Sequence, residues 1–420
     1  MTLPSQGLAW RGEFYPEVRS PKSDVTNKRN HDIKKSRHPP TIFNGTQVKT
    51  PLIAASLAAL CASGSVYAQS SVTLYGIIDE GLTFSNNQLG AKAYQMQSGI
   101  SQGSRWGLQG AEDLGGGLSA IFRLENGFDI NSGKLGQQGR EFGRGAYVGL
   151  SSTTLGTVTL GRQNEMMGDY VGLYTANGNW GILFPHPGDL DNTGIDFRIN
   201  NAVRYTSPVF SGIQASALYG FGNVAGATNR DAVKSVGVKY AGGPVALAAA
   251  YTSIDHPSEA VPEGVWTATN TVDGNYGLAA SKYQSFGISG QYSFGAAKIS
   301  ADYTNTKFLG LDPTVGANIS GHVSFNIFEV VASYFVTPSV QLGTGYSYTQ
   351  GQVSATSQKP KYHNFDAIVD YFLSKRTDTY LQATYMHAAG DAQYADLAPV
   401  LQRSSTPNQI EVRLGLRHRF

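Results

Sequence analysis

The amino-acid sequence predicts an all-β fold, a transmembrane β-barrel of sixteen antiparallel strands. Three observations predict it. The last segment of the chain has two chemically different faces, no run of about 18 apolar residues could form a membrane helix, and short turns alternate with long loops along the chain. If this chain crosses a membrane, it therefore does so as strands.

The C-terminal segment, residues 410–420, alternates between apolar and polar side chains. One face holds Ile410, Val412, Leu414, Leu416 and Phe420, the other holds Glu411, Arg413, Arg417 and Arg419, and His418 is the exception on the apolar side. Successive side chains of a strand point to opposite faces, and a membrane barrel needs one face for lipid and one for a lumen. The segment is therefore predicted to be a barrel strand that ends in an aromatic residue.

One apolar block lies near the start of the chain, within residues 48–68. It combines a basic Lys49, a short apolar run and small residues before Ala68, which is the pattern of a secretory signal peptide cleaved after Ala68. A short buried helix is the alternative. The only cysteine, Cys61, lies in this block behind Leu60, where a lipoprotein signal needs a small residue, so no lipidation and no disulfide are expected.

Residues 1–47 carry scattered charges and prolines without periodicity, which indicates a disordered or spurious N-terminal extension, with Val48 as an alternative initiator. Residues 1–68 hold nine of the 32 basic and four of the 30 acidic side chains, so the remainder has 23 basic against 26 acidic groups. This balance argues against nucleic acid as a partner. The barrel is predicted to comprise residues 69–420.

The strand rhythm begins at Ser71. Strands are predicted to start near residues 72, 103, 117, 142, 155, 199, 211, 232, 244, 283, 296, 324, 338, 361, 375 and 409. Long loops are predicted at 86–102, 130–141, 164–198, 222–231, 255–282, 307–322, 351–360 and 388–408, with short turns between them. An even strand number with this alternation is the layout of outer-membrane barrels, and sixteen strands enclose an aqueous channel.

A specific resemblance is carried by residues 71–79, 104–118, 142–151 with 156–162, and 415–420. They resemble the trimeric general porins of Gram-negative outer membranes, in particular the porin group of beta-proteobacteria. The resemblance implies a homotrimer embedded in outer-membrane lipid that passes ions and small hydrophilic solutes without a cofactor. It also implies that the strand ending in Phe420 is the assembly signal read by the barrel-assembly machinery after delivery by periplasmic chaperones, and that the third long loop folds back into the lumen.

That third loop, residues 164–198, is the longest predicted connection, and loops of this length in compact proteins are usually functional. Its acidic residues are Glu165, Asp169, Asp189, Asp191 and Asp196. Its aromatic residues could hold it against the inner wall. An external loop exposed to solvent is the alternative.

A basic wall is expected opposite this acidic loop. Arg105, Arg123 and Arg144 are predicted to face the lumen, the last by its position in a motif shared with the resembled porins. Arg198 is a weaker fourth member, and Glu125 is predicted to lie beside Arg123. Opposite charges across a water-filled constriction create a transverse field that filters solutes. For each arginine the alternative is a wall salt bridge without a role in selectivity.

Motifs for enzyme chemistry are absent from the sequence. It contains no Gly-x-Ser-x-Gly, phosphate loop or dinucleotide fingerprint, and its histidines lack metal-ligand spacing. Residues 189–200 begin like a calcium loop but have Thr193 and Asn200 at two ligand positions, which leaves only a carbonyl-and-carboxylate calcium site open. The predicted function is a passive diffusion channel, not an enzyme. A solute-specific channel and, further off, an outer-membrane barrel enzyme are the alternatives.

Overall fold

The computed structural model describes residues 71–184, 186–264, 272, 276–315, 319–397 and 402–420. The predicted N-terminal extension and signal peptide lie outside these residues. Within them most of the chain is β-strand, and every helix is too short or too polar to span a bilayer.

The strands form one closed antiparallel sheet. Their bounds are β1 Ser71–Gln88, β2 Ala91–Ser98, β3 Arg105–Gly115, β4 Leu118–Gly127, β5 Gly145–Ser152, β6 Gly156–Gln163, β7 Ile199–Thr206, β8 Ile213–Gly220, β9 Val233–Gly242, β10 Val245–Asp255, β11 Ala280–Phe294, β12 Ala297–Leu311, β13 Gly321–Thr337, β14 Val340–Val353, β15 Pro360–Phe372, β16 Thr377–Gly390 and β17 Asn408–Arg419. From β3 onward each strand pairs with the next along the chain, whereas β2, β3 and β17 all pair with β1.

β2 and β3 are two halves of one barrel strand. Both pair with β1, β2 along its second half and β3 along its first, and residues 99–104 interrupt the strand between them. The seventeen segments therefore make sixteen barrel strands, which confirms the predicted closed barrel. Closure satisfies the backbone hydrogen bonds of every strand, as a bilayer requires.

Short helices occur only in the connections between strands of the described chain. The α-helical segments are α1 Gly136–Gly139, α2 Met166–Asp169, α3 Ala176–Trp180, α4 Pro257–Ala260 and α5 Tyr276–Ala279, and the 3-10 turns are Val171–Tyr174 and Pro187–Asp189.

The two faces of the wall follow the predicted alternation. On β17, Leu414 and Leu416 are exposed on the outer face, whereas Glu411 and Arg413 are buried on the inner face. Exposed aromatic rings lie beside the short turns, where an interfacial girdle is expected, and include Tyr292, Phe294, Tyr334, Tyr371 and Phe420.

The structure corrects one predicted connection. The loop expected over 86–102 is mostly strand, because β1 continues to Gln88, turns at Leu89 and Gly90, and returns as β2. Leu89 and Gly90 both have positive φ, 51° and 99°, as a two-residue hairpin turn requires. Phe84 and Tyr94 still form an apolar pair on the outer face, but Asn86, Gln88 and Lys92 next to the turn are polar, so the alternation that identifies a strand is lost there while the backbone ladder persists.

Candidate constriction site

The third loop, residues 164–198, lies inside the barrel. Its first half is held against the inner faces of β8 and β9, because the Tyr170 hydroxyl lies 2.6 Å from Ser216 Oγ and the Met166 amide donates to Ser235 Oγ at 2.9 Å. Further along, Tyr283 on β11 donates its hydroxyl to the Leu190 carbonyl at 2.9 Å.

The middle of the loop reaches the remaining wall. The Ala176 amide donates to Glu329 Oε2 on β13 at 2.8 Å, and Gln382 on β16 donates to the Trp180 carbonyl at 2.7 Å. The Ile182 amide donates to the carbonyl of Ile100, in the segment that interrupts β2 and β3, at 2.9 Å. The loop therefore folds inward, as the resemblance implied.

Three inward-facing glycines make room for the loop. A Cβ added at Gly343 would lie 2.2 Å from the Trp180 ring, one at Gly287 would lie 2.8 Å from Met167 Cε, and one at Gly237 would lie 2.8 Å from the Tyr170 ring. Real Cβ atoms do not approach this closely, so the loop could not lie in this position against alanine. The wall is therefore shaped to fit the loop.

The structure brings Arg123, Arg144 and Glu125 together. The alternation of β4 puts Arg123 and Glu125 on its inner face, where they form an ion pair. Arg144 donates Nε to Glu125 Oε1 at 2.9 Å, and the Tyr75 hydroxyl donates to Oε2 at 2.8 Å. Arg105 on β3 faces the same side, within electrostatic range of Glu125.

A second carboxylate, Glu263, joins the site from the connection after β10. Arg140 lies 2.8 Å from Glu263 Oε2, Arg162 pairs with Oε1, and the Arg198 amide donates to Oε1 at 3.2 Å. The site thus contains an arginine patch, which comprises Arg105, Arg123, Arg140, Arg144, Arg162 and Arg198.

Sequence reasoning missed three of these residues. Strict alternation places Arg162 on the outer face of β6, but the register shifts between Gly161 and Gln163, and this bulge turns Arg162 inward. A glycine before the arginine was the available signal. Arg140 and Glu263 meet across two connections that are far apart in sequence, so no local pattern indicated them.

The arginines of the patch cover its carboxylates. The side chains of Arg123 and Arg140 are 29% and 32% exposed, whereas those of Glu125 and Glu263 are each 4% exposed. The guanidinium groups of Arg123 and Arg140 are therefore more accessible to solvent than the carboxylates they pair with.

The first two loop acids bind the wall instead of facing the patch. Glu165 accepts hydrogen bonds from two backbone amides of α2 and from the Thr252 hydroxyl, and burial raises its pKa. Asp169 pairs with Arg204 of β7 at 2.5 Å. These positions differ from the predicted acidic loop facing the basic wall, because polar groups of the barrel wall bind these carboxylates.

Asp189 and Asp191 are also buried within the loop. Asp189 Oδ1 accepts from the Gly194 amide at 2.8 Å, and burial raises the pKa of Asp189. Asp191 Oδ2 lies 2.7 Å from His186 Nδ1 and accepts from the Thr304 hydroxyl at 2.5 Å. Burial raises the pKa of Asp191, but His186 and the hydroxyls of Thr304 and Thr193 together outweigh burial, so the pKa is lowered.

Of the five loop acids, Asp196 remains beside the patch. Burial raises the pKa of Asp196 to about 6, although Arg198 opposes the shift. Burial, together with the positive charges of Arg144 and Arg162, lowers the pKa of Arg198 to about 9.

Phe420 completes the pairing of β17 with β1. Its amide donates to the Gly76 carbonyl at 3.0 Å, and its carbonyl accepts from the Gly76 amide at 3.1 Å. The ring covers Gly76 so closely that an added Cβ would lie 2.3 Å from Cζ. The terminal aromatic is therefore part of the barrel seam.

Comparisons with known proteins agree with this architecture. Residues 54–391 match the family model of Gram-negative porins. An outer membrane porin of Bordetella pertussis is 30% identical over 412 residues, and outer membrane porin protein 32 of Delftia acidovorans is 30% identical over 392 residues; each match covers 89% of this chain and 100% of the relative.

Among solved structures, the anion-selective porin from Comamonas acidovorans aligns with a TM-score of 0.68 at 26% identity, over 84% of this chain and 100% of that chain. The family match spans most of the strands, and the closed barrel of sixteen strands surrounds an inward-folded loop. The chain therefore belongs to the Gram-negative porin family, as an outer-membrane β-barrel that forms a channel for passive diffusion.

Proposed function

We propose that the channel prefers anions and that the arginine patch sets this preference. The observation that carries the proposal is the layering of charge, in which exposed guanidinium groups cover nearly buried carboxylates. The patch holds six guanidinium groups, whereas its carboxylate neighbours among the residues that the structure describes are Glu125, Glu263 and Asp196. The field in the lumen is then positive.

The surroundings of the patch strengthen its effect on permeating ions. A cleft with low-dielectric walls focuses the field of its charges and raises the local concentration of counter-ions. The Debye length is about 10 Å in 0.1 M salt, so the field reaches across a narrow lumen at low salt and is screened at high salt. The structural relative from Comamonas acidovorans is described as anion-selective, which supports the same assignment here.

Replacing Arg105, Arg123 and Arg144 together with serine tests the proposal. The triple variant loses three positive charges and side-chain volume, so its reversal potential under a potassium chloride gradient should shift towards cations and its single-channel conductance should rise. Both differences should shrink as salt is raised.

The matched control replaces Arg230, Arg376 and Arg403, which lie in connections away from the patch, with serine. It removes the same charge and should leave the reversal potential close to that of the original protein. An unchanged reversal potential in the patch variant at low salt would refute the proposal.

We further propose a homotrimer whose assembly signal is Phe420, read by the barrel-assembly machinery after transfer by periplasmic chaperones. The resembled porins are trimers, which supports the first part. The position of Phe420 at the barrel seam supports the second part, because the strand that closes the barrel is a suitable element for the assembly machinery to recognise. The sixteen strands favour a channel over a barrel enzyme, which would need a narrower lumen and converging catalytic groups.

A further inference from the structure

A second cluster of ionisable side chains lies behind the third loop, away from the arginine patch. Asp302 on β12 and Glu329 on β13 are direct cross-strand partners on the inner face, and His186 of the loop lies over them. All three are buried. Like charges directly opposite each other on a sheet are destabilising, so this pair needs a compensating positive group.

The three side chains converge on one point. His186 Nε2 lies 3.4 Å from Asp302 Oδ1 and 3.7 Å from Glu329 Oε2, and the three ligand atoms lie within 4.8 Å of one another. Bonds of about 2.0–2.2 Å in a tetrahedral zinc site separate its ligands by roughly 3.3–3.6 Å. In the described part of the chain, the fully buried His186 Nε2 has no hydrogen-bond partner, although it points at two carboxylates.

The other ring nitrogen of His186 is held by a carboxylate. Asp191 Oδ2 lies 2.7 Å from Nδ1, and the hydroxyl of Thr304 fixes Asp191 in turn. In the neutral tautomer that donates Nδ1–H to Asp191, the lone pair of Nε2 is directed at Asp302 and Glu329. Metal-binding histidines carry this arrangement, which sets the tautomer and raises the basicity of the ligating nitrogen.

The charge around the cluster is strongly negative. The carboxylates near His186 are Asp189, Asp191, Asp302, Glu329 and Asp366. Among the described residues, the ion pairs of Asp302 and Glu329 are formed with His186 alone. Buried carboxylates without a counter-charge are costly, so the cluster requires a cation or retained protons.

We propose that His186, Asp302 and Glu329 bind a divalent transition-metal ion of the zinc type, with Asp191 as the positioning residue for His186. One imidazole nitrogen with carboxylate oxygens suits zinc and its neighbours, whereas calcium and magnesium favour oxygen ligands alone. Since His186 belongs to the loop and both carboxylates belong to the wall, the ion ties the third loop to the barrel.

Cobalt(II) is the probe that tests the site, because its visible absorption reports bound nitrogen and oxygen ligands. The whole porin in detergent is stripped with a chelator and titrated with Co²⁺. The original protein should bind about one ion per chain, and the absorption should saturate at that ratio. His186→Gln and Asp302→Asn should each weaken binding by more than tenfold, and Asp191→Asn by about 10- to 100-fold.

His387→Gln is the matched control. His387 and His363 form a histidine pair on the outer face with ring centroids 6.2 Å apart, and this pair could hold a metal adventitiously. The control should bind Co²⁺ like the original protein. Loss of binding in the control together with retention in His186→Gln would overturn the assignment.

Folding is checked separately by the heat-modifiable mobility of each variant. Asp302→Asn removes one charge from a like-charged pair, so it should assemble even if His186→Gln does not. Failure of the folded original protein to bind Co²⁺ in excess would also overturn the proposal, and would show that retained protons balance the charge. Because the readout is metal absorption, this result is independent of the ion selectivity of the channel.

Discussion

Two groups of arginines line the lumen of the barrel, and they differ in how completely their side chains are buried and hydrogen-bonded. The first is the arginine patch, in which the Arg123 side chain is 29% exposed. The second, here the seam cluster, comprises Arg413, Arg417 and Arg419 of β17 with their carboxylates Asp79, Asp370 and Asp378, and the Arg413 side chain is fully buried. Arg105 and Arg123 of the first group and all three arginines of the second lie on inward-facing positions of strands.

The difference lies in how many donors find acceptors within the protein. Arg413 uses all five: Nε donates to the Tyr380 hydroxyl, Nη1 to Gly81 and Thr83, and Nη2 to Asp79 and the Gln97 carbonyl. Arg123 bonds Tyr75 and Glu125, and part of its side chain stays exposed to the lumen.

Residue type and strand face therefore do not separate a fully buried arginine that supports the barrel from a partly exposed one that we propose meets permeating ions. The burial of the arginine depends on what packs over the inner face of its strand. The segment that interrupts β2 and β3 covers the seam cluster, where the Ser101 hydroxyl accepts from Arg417 and donates to the Trp180 carbonyl.

The largest effect expected from this comparison is that of Arg413→Met. It leaves Asp79 buried without its charge partner, which should lower the free energy of unfolding by about 3–5 kcal/mol. Arg123→Met should cost about 1 kcal/mol or less, because Arg144 still pairs with Glu125. Denaturant unfolding in detergent measures both, and equal costs would remove the distinction between the groups.

A smaller effect is expected at the glycines that seat the third loop. Gly343→Ala places a methyl group 2.2 Å from the Trp180 ring, so it should cost about 1–3 kcal/mol, displace the loop and change the single-channel conductance. Gly345→Ala is the matched control, since its Cβ would lie 3.5 Å from its nearest neighbours, an ordinary contact. Identical conductance in the two variants would show that this part of the loop does not shape the pore.

The smallest expected effect is a pH dependence centred on Asp196, whose pKa burial raises to about 6. As pH falls from 7.5 to 5 the carboxylate gains a proton, so the lumen loses a negative charge and anion preference should increase. Asp196→Asn should show more anion preference than the original protein at pH 7.5 and the same preference at pH 5. Reversal potentials at low salt measure this, with the exposed-loop variant Asp391→Asn as the control.

The same pKa fixes the sign of the stability effect. A carboxyl whose pKa is raised in the folded state stabilises the fold below its unfolded pKa of about 3.9, and this contribution is lost as pH rises through about 6. Asp196→Asn should remove that part of the pH dependence. In the conductance experiment, a reversal potential of Asp196→Asn that still differs from that of the original protein at pH 5 would contradict the assignment of Asp196.

Features that repeat along the strands were predictable from the sequence. The alternation of residues 410–420 predicted both faces of β17, and Arg123 and Glu125 could be placed on one face of β4 because the same period applies there. The hairpin at Leu89 and Gly90 was missed because the residues next to its turn, Asn86, Gln88 and Lys92, are polar and interrupt the alternation.

The loop acids could not be oriented from the sequence. Asp191 is held by Thr304, 113 positions away, and Asp169 by Arg204, 35 positions away, so their directions depend on how the loop docks. The histidine cluster could not be predicted from the sequence for the same reason. His186, Asp302 and Glu329 come from a loop and two strands, and no spacing within one segment could have joined them.

The carboxylates beneath the arginine patch also affect how long an ion stays there. Six guanidinium groups without Glu125 and Glu263 would hold a multivalent anion tightly, and a channel conducts only if each binding step is weak enough to reverse. The two glutamates neutralise part of the positive charge of the patch, so an anion would be held less tightly. Their ion pairs also keep the guanidinium groups in place. Rapid release of a bound anion, and with it a high turnover of ions, then depends on two side chains that the ion does not touch.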